Sequence, residues 1–222
     1  MWCIPKVDQA FLERMEHVLD LYEKPYNPRE PVVCFDEKSK QLLRDIRVPV
    51  SPQPGKPRLR DYEYKRNGTR NIFLAVEPKA GYREVQVTKR RTKQDFAKEV
   101  RRLAEGRYRR SRRLHLVLDN LNTHFATSFR ETFGEPATRR LLKRLCLHHT
   151  PKHASWLNMA EMEMSILGRQ CLNRRIPTEQ LLIQELAAWK RHRNRRKATI
   201  SWRFTTEDAR RVFRESYPTN SV

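Results

Sequence analysis

Two apolar runs, each ending in an aspartate, constrain this chain more than any other feature. Residues 114–118 read Leu-His-Leu-Val-Leu and are closed by Asp119 and a polar tail of Asn120, Asn122, Thr123 and His124. Residues 31–35, Pro-Val-Val-Cys-Phe, lead in the same way into Asp36 and Glu37. Short apolar runs bounded by turn residues predict buried strands of a mixed or parallel sheet. An acid at the carboxyl end of such a strand lies where open α/β sheets present their ligands. Two such strands set carboxylates side by side, which is repulsive unless a cation or a shared proton intervenes.

The rest of the pattern completes an α/β chain. After Trp2, helical spacing of Phe11, Met15, Val18 and Leu19 predicts a helix over 8–22, and Pro25, Pro28 and Pro31 end it before the first strand. The stretch 38–45 is polar, and 48–57, with Pro49, Pro52, Pro54, Gly55 and Pro57, reads as an extended loop. Segments 71–76 and 82–88 predict an antiparallel hairpin, with Val85 and Val87 alternating with Glu84 and Gln86. Helices are predicted over 92–107, over 158–172, over 178–196, and after Asp119 as far as Leu145 with a break near Gly134 and Pro136. Residues 146–149 form a further strand, and Thr205 with Asp208 resembles a capping box opening a short last helix. The expected fold is an α/β sandwich with a mixed five-stranded sheet flanked by helices. Right-handed winding makes the Asp36 and Asp119 strands neighbours in its centre. The division expected is an N-terminal linker and helix (1–30), a catalytic domain (31–203) and a C-terminal helix and tail (204–222).

Charge then narrows the partner. The formal net charge is +21, an excess that points to a polyanion, with nucleic acid ahead of an anionic membrane surface. Residues 83–113 carry 13 Lys/Arg against 4 Asp/Glu, and 169–203 carry 10 against Glu179 and Glu185 alone, two candidate phosphate-tracking surfaces. No stretch approaches the ~20 apolar residues of a membrane span, and no signal peptide opens the chain. Cys3, Cys34, Cys146 and Cys171 include no Cys-x-x-Cys pair, which predicts a reduced, intracellular protein.

A third carboxylate is expected from the 158–172 helix. Glu161 and Glu163 lie two residues apart, so at ~3.6 residues per turn they point to different sides and only one enters a given site. Glu161 shares the stripe of Leu157, Met164 and Leu172 and is the choice, although Asn158-x-x-Glu161 also matches a capping box. Asp36, Asp119 and Glu161 would form an all-oxygen site suited to Mg²⁺ or Mn²⁺. Two such ions ~3.5–4 Å apart clamp an in-line displacement at phosphorus. Cys146, His148, His149 and His153 suggest zinc, but the run lacks a paired second half. His124 and His153 are candidates for contact with a scissile phosphate or for packing, and Trp156 reads as a packing residue.

These motifs carry a family resemblance. The blocks Val33-Cys34-Phe35-Asp36-Glu37-Lys38-Ser39-Lys40, Asp119-Asn120-Leu121-Asn122-Thr123-His124 and residues 150–161 (TPKHASWLNMAE) resemble, in order, those of bacterial insertion-sequence transposases related to mariner elements. The likeness extends to 67–71 and 202–208. It implies a ribonuclease-H-like fold and a DDE metal triad matching Asp36, Asp119 and Glu161. It also implies cut-and-paste transposition with two divalent ions, transposon-end and target DNA as partners, and a homodimer on DNA in a bacterial cytoplasm, associated with the nucleoid. Glu161 follows Asp119 by 42 residues, longer than is usual among mariner relatives, and the basic stretch 134–145 has room for the extra length. Family members usually begin with a helix-turn-helix region that reads the element's ends, whereas this sequence starts at what resembles the linker. A non-catalytic basic DNA-binding remnant and a ribonuclease-H-like nuclease acting on other nucleic acids are the alternative functions.

Overall fold

The structure is a computed structural model and describes residues 7–57, 59 and 61–217, so Trp2 and Cys3 lie outside the described residues. Its centre is a five-stranded sheet of β1 (Val32–Asp45), β2 (Tyr64–Glu77), β3 (Tyr82–Thr88), β4 (Leu114–Leu118) and β5 (Leu145–His149), in the order β3-β2-β1-β4-β5. β1, β2 and β3 form an antiparallel meander, and β4 and β5 run parallel to β1. The expected hairpin forms with Glu77 opposite Tyr82. Gly81 in its turn has φ 64° and lies against the backbone of Lys197, so a side chain there would be both strained and blocked.

Strand alternation divides the core between the two faces of the sheet. Val33, Phe35, Phe73 and Leu116 pack with Phe96, Val100 and Phe129 from α2 (Lys93–Glu105) and α3 (Ala126–Leu142). Cys34, Ile72, Leu74 and Val117 pack on the other side, beneath α1 (Gln9–Glu23), α4 (Met159–Leu167), α5 (Glu179–Arg195) and α6 (Thr206–Val212). The described parts of the 1–30 and 204–222 flanks share this second core through Phe11, Leu12, Met15 and Ala209, so neither stands apart. Among the described residues no helix is long and apolar enough to cross a membrane.

Two elements differ from the sequence expectation. β1 does not stop at Asp36 but continues through the polar stretch to Asp45, because Lys38, Ser39 and Lys40 pair with Ile72, Asn71 and Arg70 of an equally extended β2. The helix expected over 158–172 is broken up: a single 3₁₀ turn (Ser155–Leu157) precedes α4, and a wider π turn (Gly168–Leu172) follows it. The break anticipated near Gly134 and Pro136 is present: α3 kinks at Gly134, whose φ of 75° and ψ of 170° are non-helical. The Thr205–Asp208 capping box is formed.

Candidate active site

Asp119 is the first residue after β4, and Asp36 sits at the level where β4 ends. The parallel register pairs Cys34 with Val117, and two residues further along each strand stand the two aspartates. Beyond this point β1 has lost its partner on that side, so an open notch remains at the carboxyl end of β4. Asp36 has the parity of Cys34 and faces α4, whereas Glu37 has the parity of Phe35 and faces α2 and α3.

Asn158 brings α4 to the notch. Its side-chain oxygen accepts the Ala160 N–H at 3.1 Å, capping the helix, and its amide donates to the carbonyl of Phe35 at 2.9 Å. The residue before Asp36 is thereby tied to the first turn of α4, which carries Glu161. The competing capping box is not formed, since the Asn158 N–H donates to the Ser155 carbonyl at 2.7 Å. Glu163 points elsewhere. Its carboxylate is fully buried and accepts paired bonds from Arg83 of β3 (2.9 and 2.9 Å) and Arg193 of α5 (2.9 and 3.0 Å).

The electrostatics separate the two aspartates. Burial pushes the Asp36 carboxyl up to about 7, with the negative charges of Glu37, Asp119 and Glu161 adding to it against one hydrogen bond from the Glu37 N–H. Burial also raises Asp119, but His124 and the Leu121 N–H outweigh it and hold that carboxyl below its ordinary value. His124 is fully buried, with Nδ1 2.5 Å from Asp119 Oδ1 and Nε2 2.9 Å from Glu37 Oε2. Burial alone would lower His124, yet the two carboxylates lift it to about 9, so it is an imidazolium donating to both. Its ring nitrogens are spent, which argues against a phosphate contact for His124. His148 and His149 are likewise committed, the first to His17 (2.7 Å) and His115 (2.9 Å), the second to the His124 carbonyl (2.7 Å). Trp156 stacks beside Trp202 at 6.4 Å and meets Phe204 edge-on, a packing role.

The Glu37–His124 support is the part that motif reading missed. Strand alternation carried a signal for it, since it sends Glu37 to the face opposite Asp36, where His124 lies against Phe96. Among the described residues no three His, Cys, Asp or Glu side chains are gathered closely enough to hold a metal ion as they stand, at the carboxylates or at the Cys146–His153 run. The donor set at the notch still suits a hard divalent cation. It is all oxygen, and among the described residues neither Asp36 nor Glu161 forms an ion pair, in a chain of net charge +21.

Comparison with known proteins places the chain. Residues 31–183 match the sequence profile described as DDE superfamily endonuclease. The chain belongs to the DDE superfamily endonuclease family. No curated protein sequence matches it. Similar solved structures include a Mos1 transposase paired-end complex with left transposon end and a Mos1 mariner paired end complex with Mn. Each has 16% identity and a TM-score of 0.57, and covers 89% of this chain and 61% of theirs. A pre-cleavage Mos1 transpososome aligns with 14% identity and TM-score 0.57 over 97% of this chain and 65% of its own. At such identities the likeness establishes the fold, ribonuclease-H-like with a mixed five-stranded sheet. This DDE endonuclease chain spans about three fifths of the length of those proteins.

Proposed function

We propose that this chain is the catalytic domain of a DNA transposase, cleaving strands at the ends of a mobile element and joining them to target DNA. What supports the reading is that Asp36 and Asp119 lie at the same end of neighbouring strands and that Asn158 ties the first turn of α4, with Glu161, to β1 beside them. The DDE endonuclease family and the likeness to Mos1 transposase complexes support it. So does the charge of +21, which suits a phosphate backbone.

In this reading Asp36, Asp119 and Glu161 hold the divalent metal, Mg²⁺ or Mn²⁺, as two ions. Bound there, the metal lowers the barrier to in-line displacement at phosphorus by activating the attacking oxygen and steadying the leaving one. The protein's own contribution is orientation and charge. Asp36 ionises against its neighbours and so gains most from a cation. Asn158 fixes the start of α4, and with it Glu161, to β1. His124 and Glu37 hold Asp119 in one orientation, as outer partners of metal ligands commonly do. An element has two ends, so a pair of copies on DNA completes the proposal. The catalytic domain spans 31–203, with the described parts of the flanking segments packed on its core.

Nicking of supercoiled plasmid in Mn²⁺ by wild type, and not by Asp119→Asn, is the expected result. Equal nicking by both proteins would overturn the assignment. DNA binding that falls steeply with salt, without nicking in any divalent ion, would favour the non-catalytic remnant instead.

A further inference from the structure

The start of α3 breaks a rule that the other helices keep. α1, α2, α4, α5 and α6 each begin on a side chain that accepts a helix N–H, from Asp8, Thr92, Asn158, Thr178 and Thr205. α3 begins on Phe125, which makes no side-chain cap and is 38% exposed. An aromatic there forgoes capping stabilisation, and local rules are broken most often where function demands it.

The exposed ring is rigidly held. It stacks on His149 with centroids 4.9 Å apart and planes 18° apart, and His149 is fixed by the carbonyl of His124. His148, one residue earlier on edge strand β5, is tied to His17 of α1. Together with Glu13, Arg14, Asn120 and Leu147 these side chains line a cleft of about 390 Å³. Asn120 follows Asp119 directly, and its amide is anchored to the carbonyl of Thr150. Arg14 Nη1 reaches Asn120 Oδ1 at 3.5 Å, which brings an exposed cation to the same place. A flat aromatic platform, a cation and a polar amide thus stand together beside an aspartate of the candidate active site. That combination recognises an unpaired base with its phosphate, because every base offers a π-face and stacking is tolerant of sequence.

We propose that this cleft receives one unpaired nucleobase of the strand beside the scissile phosphate, stacked on Phe125, with its phosphate toward Arg14. The proposal rests on the DNA-cleavage reading above and goes beyond it, since it assigns a splayed nucleotide a seat on this chain. It predicts that DNA with a single-nucleotide overhang or frayed end binds better than a blunt duplex.

The test uses the full chain in EDTA with short duplexes carrying 2-aminopurine either in a one-nucleotide overhang or paired in a blunt end. Fluorescence anisotropy gives affinity and 2-aminopurine emission reports stacking. Wild type should quench the overhang probe and prefer it over blunt DNA on the order of tenfold, the scale of one base–aromatic stack. Phe125→Ala should lose both the quenching and the preference, and Phe125→Trp should restore them. Equal quenching by wild type and Phe125→Ala, or no preference in wild type, would overturn the proposal. If wild type binds duplex and nicks plasmid in Mn²⁺ but shows no overhang preference, only the seat for the base fails. Absence of all DNA binding would sink the cleavage reading with it.

Discussion

Replacing Glu163 by alanine would leave two guanidinium groups without their shared carboxylate. The Arg83 side chain is 0% exposed and its Nη1 already lacks a hydrogen-bond partner among the described residues, so it cannot turn to water. The Arg193 side chain is 17% exposed and retains a route to solvent. Removing one partner of a buried pair costs about 3–5 kcal/mol, most of it the penalty of the uncompensated charge left behind. For a chain of this size each kcal/mol moves the melting temperature by roughly 2–4 °C, so a fall of about 10 °C is expected. Urea unfolding followed by circular dichroism at pH 7.5 measures the loss as a lower midpoint with an unchanged slope. Glu161→Ala, which removes a partly exposed carboxylate with no ion pair among the described residues, should cost under about 1 kcal/mol. The pH dependence has a definite sign. Burial would raise Glu163, but Arg83 and Arg193 outweigh it and hold its carboxyl below the ordinary 4.5. Its contribution is therefore fully present above about pH 4.5 and is lost as pH falls through the lower folded value. The gap between wild type and Glu163→Ala should narrow below that pH. A Glu163→Ala protein within 1 kcal/mol of wild type at pH 7.5, or a Glu161→Ala protein as damaged as Glu163→Ala, would refute the division of roles between the two glutamates.

Other outcomes follow from the same geometry. Asp36 is raised to about 7, so the folded state binds its proton more tightly than the unfolded state does, and ionisation weakens the fold as pH climbs from about 4 to 7. Asp36→Asn should therefore raise the melting temperature of the metal-free protein at pH 8, and Mn²⁺ should stabilise wild type but not the variant in thermal scans. His124→Ala frees Asp119 from its 2.5 Å partner and should raise the Mn²⁺ concentration needed for half-maximal nicking by about 10- to 100-fold, the usual cost of losing a ligand's outer support. Arg175 bonds Asp45 and the carbonyls of Tyr62 and Glu63, and its guanidinium lies over the Tyr64 ring. Arg175→Ala should speed limited proteolysis within the 46–63 loop several-fold with little change in melting temperature, because loop tips are the preferred sites of nicking.

What was legible in the sequence depended on whether the signal was local. The strands ending at Asp119 and around Asp36 carry their apolar runs openly. Phe96, Val100 and Leu103 mark α2, and Thr205 with Asp208 marks the start of α6. The second half of β1 was illegible because Lys38–Gln41 has no apolar alternation and becomes a strand only by pairing with β2, a tertiary effect. The wide turn after α4 leaves no mark in a helical pattern that continues through Leu172. Arg83 reads as one more surface cation in a basic run, and only its partner Glu163, 80 residues away and shared with Arg193, explains its burial. At the proposed site, motif and position single out the aspartates and Glu161. The Glu37–His124–Asp119 bridge required knowing that β1 and the loop after β4 lie side by side.

Asp36, Asp119 and Glu161 are proposed to hold one divalent-metal centre, and Mn²⁺ binding, followed by loss of the free-ion EPR signal, tests this at the carboxylates themselves. Wild type should bind Mn²⁺, and Asp36→Asn, Asp119→Asn and Glu161→Gln should each weaken binding by at least about tenfold. Glu131→Gln, which alters an exposed acid paired only with Lys93 among the described residues, should bind as wild type does. Wild-type affinity in all three site variants, or a loss equally large in Glu131→Gln, would contradict the account.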